Sequence, residues 1–459
     1  MWNFFIKSDI ITSLFLKEVK IVKLSTFKGG AHPYDGKELS ADCVIEELMP
    51  AGELVFPLSQ HIGAPASPVV NIGDRVLAGQ LIAEKAGFIS ANIYSSISGV
   101  VKKIEPRLVA TGGRVNSIVI ENDGMYESAG PIHNMNPDSM TKDDIISIVE
   151  KAGIVGMGGA GFPTNVKLSP KEPDKIDSII VNGAECEPYL TSDYRRMIEV
   201  PETLIKGLKI VLRIFPNATG YIGIENNKPE AIRILSELTK NESAIKVVPL
   251  KTKYPQGGER SMIKAVTGRE INSRMLPADA GCIVHNVDTI VSIYQAVYEG
   301  RPLTRRIITV TGDAIKSPKN LYVYLGTSYK EIVEAAGGFT AEPQKIISGG
   351  PMMGFAFFNL DVPAVKGSSA ILAFKKDIVS EKEQSPCIRC GRCAQACPEH
   401  LLPMKLAMLA NNNAMEEFVK LNGLECVECG CCSYVCPAKR QVTQSVRSMK
   451  KMALAARRK

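Results

Sequence analysis

The chain has no run of 18 or more apolar residues, so no segment is expected to cross a membrane as a helix. Between Met1 and Lys20 the short apolar runs are broken by Lys7, Asp9, Lys17 and Glu18. This stretch lacks the basic start, unbroken apolar core and small-residue cleavage site of a secretory leader. It is expected to be an extra helix or the product of an early start codon. No nucleic-acid recognition motif and no aromatic-basic interleaving accompany the net charge of +7, which sets nucleic acid aside as a partner. Acid is missing altogether from Pro437 to Lys459, where eight Lys or Arg stand. That stretch is either a solvated helix and tail, or a contact for anionic lipid or an acidic partner. Hydrophobic residues at 45% and charged residues at 22% are ordinary for a globular chain, and 459 residues suggest roughly three or four domains.

What is abundant is cysteine, and it is unevenly placed. Cys43, Cys186 and Cys282 stand alone, while nine of the twelve lie between Cys387 and Cys436. Cys387, Cys390, Cys393 and Cys397 precede Pro398; Cys426, Cys429, Cys432 and Cys436 precede Pro437. Both runs read C-x2-C-x2-C-x3-C-P. Without a leader, this density points to metal ligation in a reducing compartment rather than to disulfides. Zinc sites use two Cys-x-x-Cys pairs or histidine partners around one ion. Two complete four-cysteine runs with a terminal proline fit two [4Fe–4S] cubanes instead. Gly391 and Gly430 let the backbone bend around each cube. The fourth cysteine of each run, expected to start a helix, reaches the other cluster. Cluster one therefore takes Cys387, Cys390, Cys393 and Cys436, and cluster two takes Cys426, Cys429, Cys432 and Cys397. Cys431 is left as a free thiol. The segment Leu401 to Leu421 reads as one helix with apolar Leu402, Leu406, Leu409 and Phe418. Two joined cubanes make a wire, so the rest of the chain is expected to hold a redox partner.

Thr141 and Asp144 form a helix cap before Ile145, Ile146, Ile148 and Val149, and that helix is expected to end near Gly153. Gly156, Gly158, Gly159 and Gly161 follow. They contain G-x-G-x-x-G, but a helix precedes them and Pro163 follows, so the standard dinucleotide fingerprint is rejected. A Gly-rich loop can expose backbone N–H groups to a phosphate, with Lys167 adding charge, or be a plain tight loop. Strands are expected at Asp177–Asn182, Thr219–Glu225, Ile245–Leu250 and Ile307–Thr311. Helices are expected at Pro201–Phe215, Pro229–Lys240, Glu259–Thr267 and Val287–Tyr298. This alternation implies a parallel sheet covered by helices, with ligands outside the carboxyl ends of the strands.

These residues resemble the C subunit of the Rnf-type ferredoxin:NAD+ oxidoreductase, and the flavin domain is similar to the NADH-oxidising flavoprotein subunit of respiratory complex I. The resemblance runs from about Thr26 onward. It rests on ordered words: FKGGAHP, FPLSQHIGAPASPVV, GDRVLAGQ, GMGGAGFPT, VNGAECEPY, YPQGGER, HNVDT, SGGPMMG and the two cysteine runs. It implies a multidomain α/β plus β chain. The expected parts are an extension and arm (1–50), a lipoyl-like β-sandwich (51–125), a complex I flavoprotein-like α/β domain for FMN and NADH (135–311), a β-grasp (SLBB) domain (312–365), and a helical, ferredoxin-like domain with two [4Fe–4S] clusters and a basic tail (376–459). Lys85 lacks the flanks of a lipoylated lysine, which makes the sandwich a scaffold.

By the same resemblance FMN is noncovalent and contacts Gly156, Gly158, Lys167, Asn182, Glu185, Asn286 and Thr289. Phe162, Glu187 and Glu259 stand where the family holds the nicotinamide nucleotide, NAD(H) being the substrate. No catalytic proton-transfer residue is implied, since hydride moves between rings. Ala184 and Gly258 depart from the complex I pattern, which carries acids there. The implied activity is electron transfer between reduced ferredoxin and NAD+, coupled to Na+ or H+ transport by other subunits. The implied partners are the membrane and peripheral subunits of the Rnf complex, and ferredoxin directly or through one of them. The implied place is the cytoplasmic side of the cell membrane, as a peripheral protein. Two other readings share parts of the pattern: a flavin and iron–sulfur cobalamin reductase, and an electron-wire subunit with an empty flavin site.

Overall fold

A strand covered on both faces carries apolar residues at successive positions, not alternate ones. Ser178–Gly183 is such a strand, with Ile179, Ile180 and Val181 all fully buried. In the computed structural model, which describes residues 24–457, it lies inside a four-stranded parallel sheet. The strand order is Ile245–Leu250, Thr219–Glu225, Ser178–Gly183, Cys282–Asn286. Helices Pro201–Ile214, Pro229–Leu238 and Glu259–Thr267 link successive strands, and Val287–Glu299 follows the last. Helix Lys142–Lys151 enters this domain through the expected capping box, in which Thr141 and Asp144 each accept the other's backbone N–H. The extra helix expected at the N-terminus lies outside the described residues.

One expected strand sits elsewhere. Arg305–Thr311 pairs antiparallel with Lys319–Tyr324 and parallel with Ala370–Phe374, in a second sheet. Its β-branched run specifies a strand but not the sheet that receives it. The fourth strand of the parallel sheet is Cys282–Asn286 instead. The second sheet has the order Ile45–Leu48, Lys319–Tyr324, Arg305–Thr311, Ala370–Phe374, Lys345–Ser348, Phe355–Phe357. Its first strand comes from the N-terminal arm, which runs parallel to Lys319–Tyr324 with Ile45 opposite Asn320. Helix Tyr329–Ala335 packs Tyr329, Ile332 and Val333 into its core.

Ahead of the flavin domain, strands Glu53–Pro57, Arg114–Asn122, Gly99–Leu108 and Arg75–Val76 form one sheet. Strands Ser67–Pro68, Leu81–Glu84 and Ile93–Tyr94 form another. Leu54, Phe56, Ile82, Ile118 and Ile120 fill the space within this unit, and their core is continuous with that of the parallel sheet. Lys366, fully buried, joins three units: its Nζ donates to Asn92 O and, at 2.7 Å, to Gly153 O.

At the C-terminal end the single helix expected over Leu401 to Leu421 is two helices, Pro403–Asn411 and Met415–Lys420. Asn413 takes a left-handed φ of 53° between them, a conformation that asparagine tolerates. Leu406, Leu409 and Phe418 are buried as expected, but Leu402 is exposed. Helix Val442–Ala456 closes the unit by burying Val446, Met449 and Ala453. Part of the basic stretch is turned inward here, since Arg447 and Lys450 both pair with Glu428. No described helix is long and apolar enough to cross a membrane.

Candidate functional site

The Gly-rich segment closes on itself at its base. Gly156 N donates to Phe162 O (2.8 Å), Val155 bridges to Pro163, and Thr164 N donates to Ile154 O (3.0 Å). The tip, Gly158, Gly159 and Ala160, is exposed. Among the described residues no backbone carbonyl takes the N–H groups of that tip. Three contacts fix its height. Thr289 Oγ1 accepts Met157 N (3.1 Å), and the Arg306 guanidinium donates to Met157 O (3.3 Å). A side chain at Gly158 would place its Cβ 3.0 Å from that of Asn286. Below, Gly161 lies against His61 and Gln60 of the sandwich unit, its would-be Cβ 3.1 Å from His61 Cα. The SQHIGAP word therefore forms the floor of the loop.

Asn182 and Asn286 end adjacent strands in register, so both stand at the carboxyl edge of the sheet. Asn286 caps the helix that follows by accepting Asp288 N, and donates to Asp193 Oδ2 at 2.6 Å. Asn182 donates to Gly257 O (2.8 Å). Glu185, at a left-handed φ of 47°, is buried; one of its carboxylate oxygens accepts Asp193 N, and the other has no hydrogen-bond partner and faces Lys37 Nζ at 3.8 Å. Burial raises the Glu185 carboxyl above its usual range, against the pull of Lys37 and Lys228. Desolvation, then the Glu185 and Asp288 carboxylates, push Asp193 up to about 7. Burial opposes ionisation of Asp288 too, but Arg196 and Arg306 on either side overcome it and hold that carboxyl low.

The remaining expected nucleotide residues are placed differently from one another. Lys167 Nζ reaches Glu259 (3.0 Å) and Val284 O (3.1 Å), so these two stand together at the rim. Phe162 is half-buried at the loop base. Glu187 is turned to the β-grasp unit, where its two oxygens accept Met352 N (3.1 Å) and Met353 N (2.9 Å). Burial pushes its carboxyl up to about 7. Gly350 is required there, because a Cβ would lie 2.1 Å from Glu187 Oε2. Sequence reasoning missed Lys37, Asp193, Asp288 and Arg306. Only Asp288, inside the HNVDT word, carried a local signal.

In the C-terminal unit, Cys397, Cys426, Cys429, Cys431 and Cys432 line one cleft, closed by Leu401, Leu406 and Val446. Four of these five are the cysteines expected for cluster two, and Cys431 lies among them. Leu401 N and Glu428 N lie 3.4 Å from the sulfurs of Cys397 and Cys426, and Thr443 Oγ1 lies 3.3 Å from that of Cys432. Cys387 and Cys390 are exposed, and Cys393 and Cys436 half-buried. The fourth cysteine does not start a helix in either run. Cys397 caps the end of helix Arg392–Ala396, and Cys436 follows helix Cys431–Tyr434, because Gly391 and Gly430 start those helices earlier. Cys431 is fully buried with its thiol 3.6 Å from Tyr254 O.

The donor sets fit the groups they are expected to hold. Five cysteines line one cleft, an all-thiol donor set of the kind that an iron–sulfur cluster takes. The exposed N–H groups of a glycine tip, a lysine at the rim and the unpartnered Glu185 oxygen suit a phosphate-bearing flavin.

The segment 254–260 joins the two sites. Gly257 N donates to Cys186 Sγ (3.1 Å), and Tyr254 packs with Cys429 and Cys431. Arg260 donates to Glu399 (2.5 Å) and Glu425 (3.1 Å). The FKGGAHP word clasps the joint from outside: Ala31 and Tyr254 exchange backbone hydrogen bonds, and Gly30 N donates to Ala396 O (2.9 Å).

Comparison with known proteins agrees with this layout. The sequence model of the RnfC barrel sandwich hybrid domain matches residues 25–125, and that of the Nuo51 FMN-binding domain matches residues 149–295. The SLBB domain matches 307–356, and the 4Fe-4S dicluster domain matches 386–439. The chain is 48% identical to the C subunit of the proton-translocating ferredoxin:NAD(+) oxidoreductase complex of Clostridium ljungdahlii, over 94% of this chain and 95% of the relative. It is 43% identical to the Na(+)-translocating counterpart of Acetobacterium woodii, over 95% of this chain and 99% of the relative. With the C subunit of the ion-translocating oxidoreductase complex of Rhodobacter capsulatus it shares 41% identity, over 83% and 74% of the two chains. The chain carries an FMN-binding domain and a two-[4Fe–4S] domain, and it belongs to the family of C subunits of ion-translocating ferredoxin:NAD+ oxidoreductase complexes.

Proposed function

We propose that this chain is the nicotinamide-reacting subunit of such a complex. In this role it moves electrons between reduced ferredoxin and NAD+, while other subunits couple the flow to transport of Na+ or H+. The observation that carries this reading is the shared segment 254–260: Asn182, proposed to hold FMN, donates to Gly257 O, and Tyr254 packs with Cys429 and Cys431.

The flavin, when bound, would supply a group able to exchange two electrons with nicotinamide as hydride and single electrons with an iron–sulfur centre. Gly156, Gly158, Lys167, Asn182, Glu185, Asn286 and Thr289 are proposed to hold it. Gly158 and the tip behind it offer backbone N–H groups, while Thr289 and Arg306 keep that tip at a fixed height. Lys167 supplies positive charge at the rim. Burial raises the carboxyls of Glu185 and Asp193, which weakens the negative charge they would set against an electron-rich ring. Phe162 and Glu259 are proposed to meet the nicotinamide nucleotide. Glu187 supports them from behind, by fixing the β-grasp loop.

From the inside outward the order is the flavin site, then Cys397, Cys426, Cys429 and Cys432, then Cys387, Cys390, Cys393 and Cys436. The protein is proposed to dock peripherally on the cytoplasmic side of the membrane through its partner subunits. The test is anaerobic purification with flavin and iron analysis, followed by ferredoxin-dependent NAD+ reduction by the complex. One FMN, eight irons per chain and activity lost on flavin removal are expected. A chain free of flavin that still supports the reaction would refute the assignment.

A further inference from the structure

The peptide between Met157 and Gly158 is held from beneath. Arg306, only 3% exposed, donates to Met157 O at 3.3 Å. In a trans peptide the C=O and the N–H that follows it point opposite ways. A carbonyl drawn down to Arg306 turns Gly158 N–H the other way, toward the exposed tip. Arg306 does not come from the parallel sheet of the flavin domain. It stands on strand Arg305–Thr311 of the second sheet, and its Nε donates to Ser368 O (3.2 Å), just ahead of Ala370–Phe374 in that sheet. Beside Ser368 in the chain is Lys366, whose Nζ donates to Gly153 O (2.7 Å). Both ends of the segment 153–157 are braced by buried cations of one neighbouring unit.

Arg306 also shares an acid with Arg196. The two oxygens of Asp288 accept Arg306 at 2.5 Å and Arg196 at 2.9 Å, and all three side chains are buried. Asp288 lies in the first turn of helix Val287–Glu299, where a lone carboxylate would cancel the positive end of the helix dipole. Two guanidinium groups against one carboxylate reverse this and leave one positive charge in excess. The other acids at this edge subtract little from it. Burial raises the carboxyls of Glu185 and Asp193, and Glu259 is paired with Lys167. A buried charge is screened far less than an exposed one.

We propose that Arg306 is a positioning and specificity residue of the flavin site: with Asp288 and Arg196 it makes the site prefer a flavin that carries a phosphate over one that does not. It aims Gly158 N–H outward and sets positive charge behind the tip. A dianion at the tip gains from both, and an uncharged ribityl chain gains from neither. The flavin site is therefore built by two units, with the second sheet supplying the charge beneath the glycine loop.

The inference rests on the reading of the glycine tip as a phosphate site, and its test separates the two. The full chain, kept anaerobic with both clusters in place and stripped of flavin at high bromide, is titrated with FMN and with riboflavin. Flavin fluorescence gives the Kd of each, and the wild-type chain is expected to prefer FMN. Arg306→Met, which leaves Asp288 paired with Arg196, is expected to weaken FMN about tenfold and to leave riboflavin within about twofold. Arg306→Lys keeps the charge and a donor for Met157 O. It is expected to lose less, and it guards against misfolding of the first variant. Asp288→Asn removes the shared acid and keeps both arginines, so it is expected to raise the preference for FMN, a sign opposite to that of a packing defect. Equal loss of both flavins in Arg306→Met, or a preference that does not rise in Asp288→Asn, overturns the role given to Arg306. A wild-type chain that binds riboflavin as tightly as FMN, or binds neither, overturns the reading of the tip beneath it.

Discussion

Arg389 and Glu428 occupy the same place in the two cysteine runs and take the same left-handed φ, 55° and 57°. Gly391 and Gly430 match at 77° and 84°, as do His400 and Lys439 at 53° and 54°. One spacing has produced one backbone twice. The surroundings differ in every other respect. The Cys426 run is packed between Tyr254, Met352 and Val446, and the cleft of cluster two collects three hydrogen-bond contacts to sulfur. The first three cysteines of the Cys387 run are exposed or half-buried, with one contact to sulfur, from Arg389 N to Cys387 (3.4 Å). Local spacing sets which thiols can ligate. Tertiary packing decides which cysteines meet the flavin domain and which face solvent, and hydrogen bonding with burial tunes the potential of a cluster held by them.

The comparison can be broken most forcefully at the ligands. Cys429→Ser is expected to abolish ferredoxin-dependent NAD+ reduction and to remove about half of the iron, while NADH oxidation by ferricyanide at the flavin continues. Gly350→Ala comes next. Its methyl group collides with Glu187, at a cost of about 1–3 kcal/mol, and loosens the loop that packs on the buried run but not the exposed one. Thermal unfolding measures the first effect, and cluster-resolved EPR the second.

Lys366 sharpens the comparison by pH. Burial lowers its amine from 10.5 to about 7, so the folded chain binds fewer protons than the unfolded chain between those values. Stability from this group is expected to rise as pH climbs from about 7 towards 10, and to be flat below 7, where both states hold the proton. Denaturant midpoints of Lys366→Met should lack that slope. The smallest effect is expected from Thr443→Val, which removes one hydrogen-bond contact to Cys432. A loss of about 1 kcal/mol corresponds to roughly 40 mV for one electron. Redox titration should show cluster two shifted to more negative potential and cluster one unmoved.

Much of this arrangement is legible in the chain itself, and for an identifiable reason. Ligand spacing, the Thr141 cap and the turn-forming glycines act over a few residues, so a sequence states them directly. The six-stranded sheet is less legible. Ile307–Thr311 reads as a strand in any sheet, and of its pairing partners Lys319–Tyr324 and Ala370–Phe374, the second lies far along the chain. Cys282–Asn286 is short and carries His285 and Asn286, which hides it among loops. Asn411, Asn412 and Asn413 announce a helix break that apolar periodicity overrode. The roles of Glu187, Lys37 and Lys366 depend on contacts with residues from other units, which no local pattern encodes.

In the proposed function the buried cluster stands between the flavin site and the exposed cluster, so NADH drives the same route in reverse, from flavin to buried cluster to exposed cluster. Rapid mixing of Cys390→Ser with NADH, followed by freezing and EPR, tests it most directly. A single reduced cubane forming at the wild-type rate is the predicted result. A reduced cluster that appears in Cys429→Ser but not in Cys390→Ser would contradict the order and the account built on it.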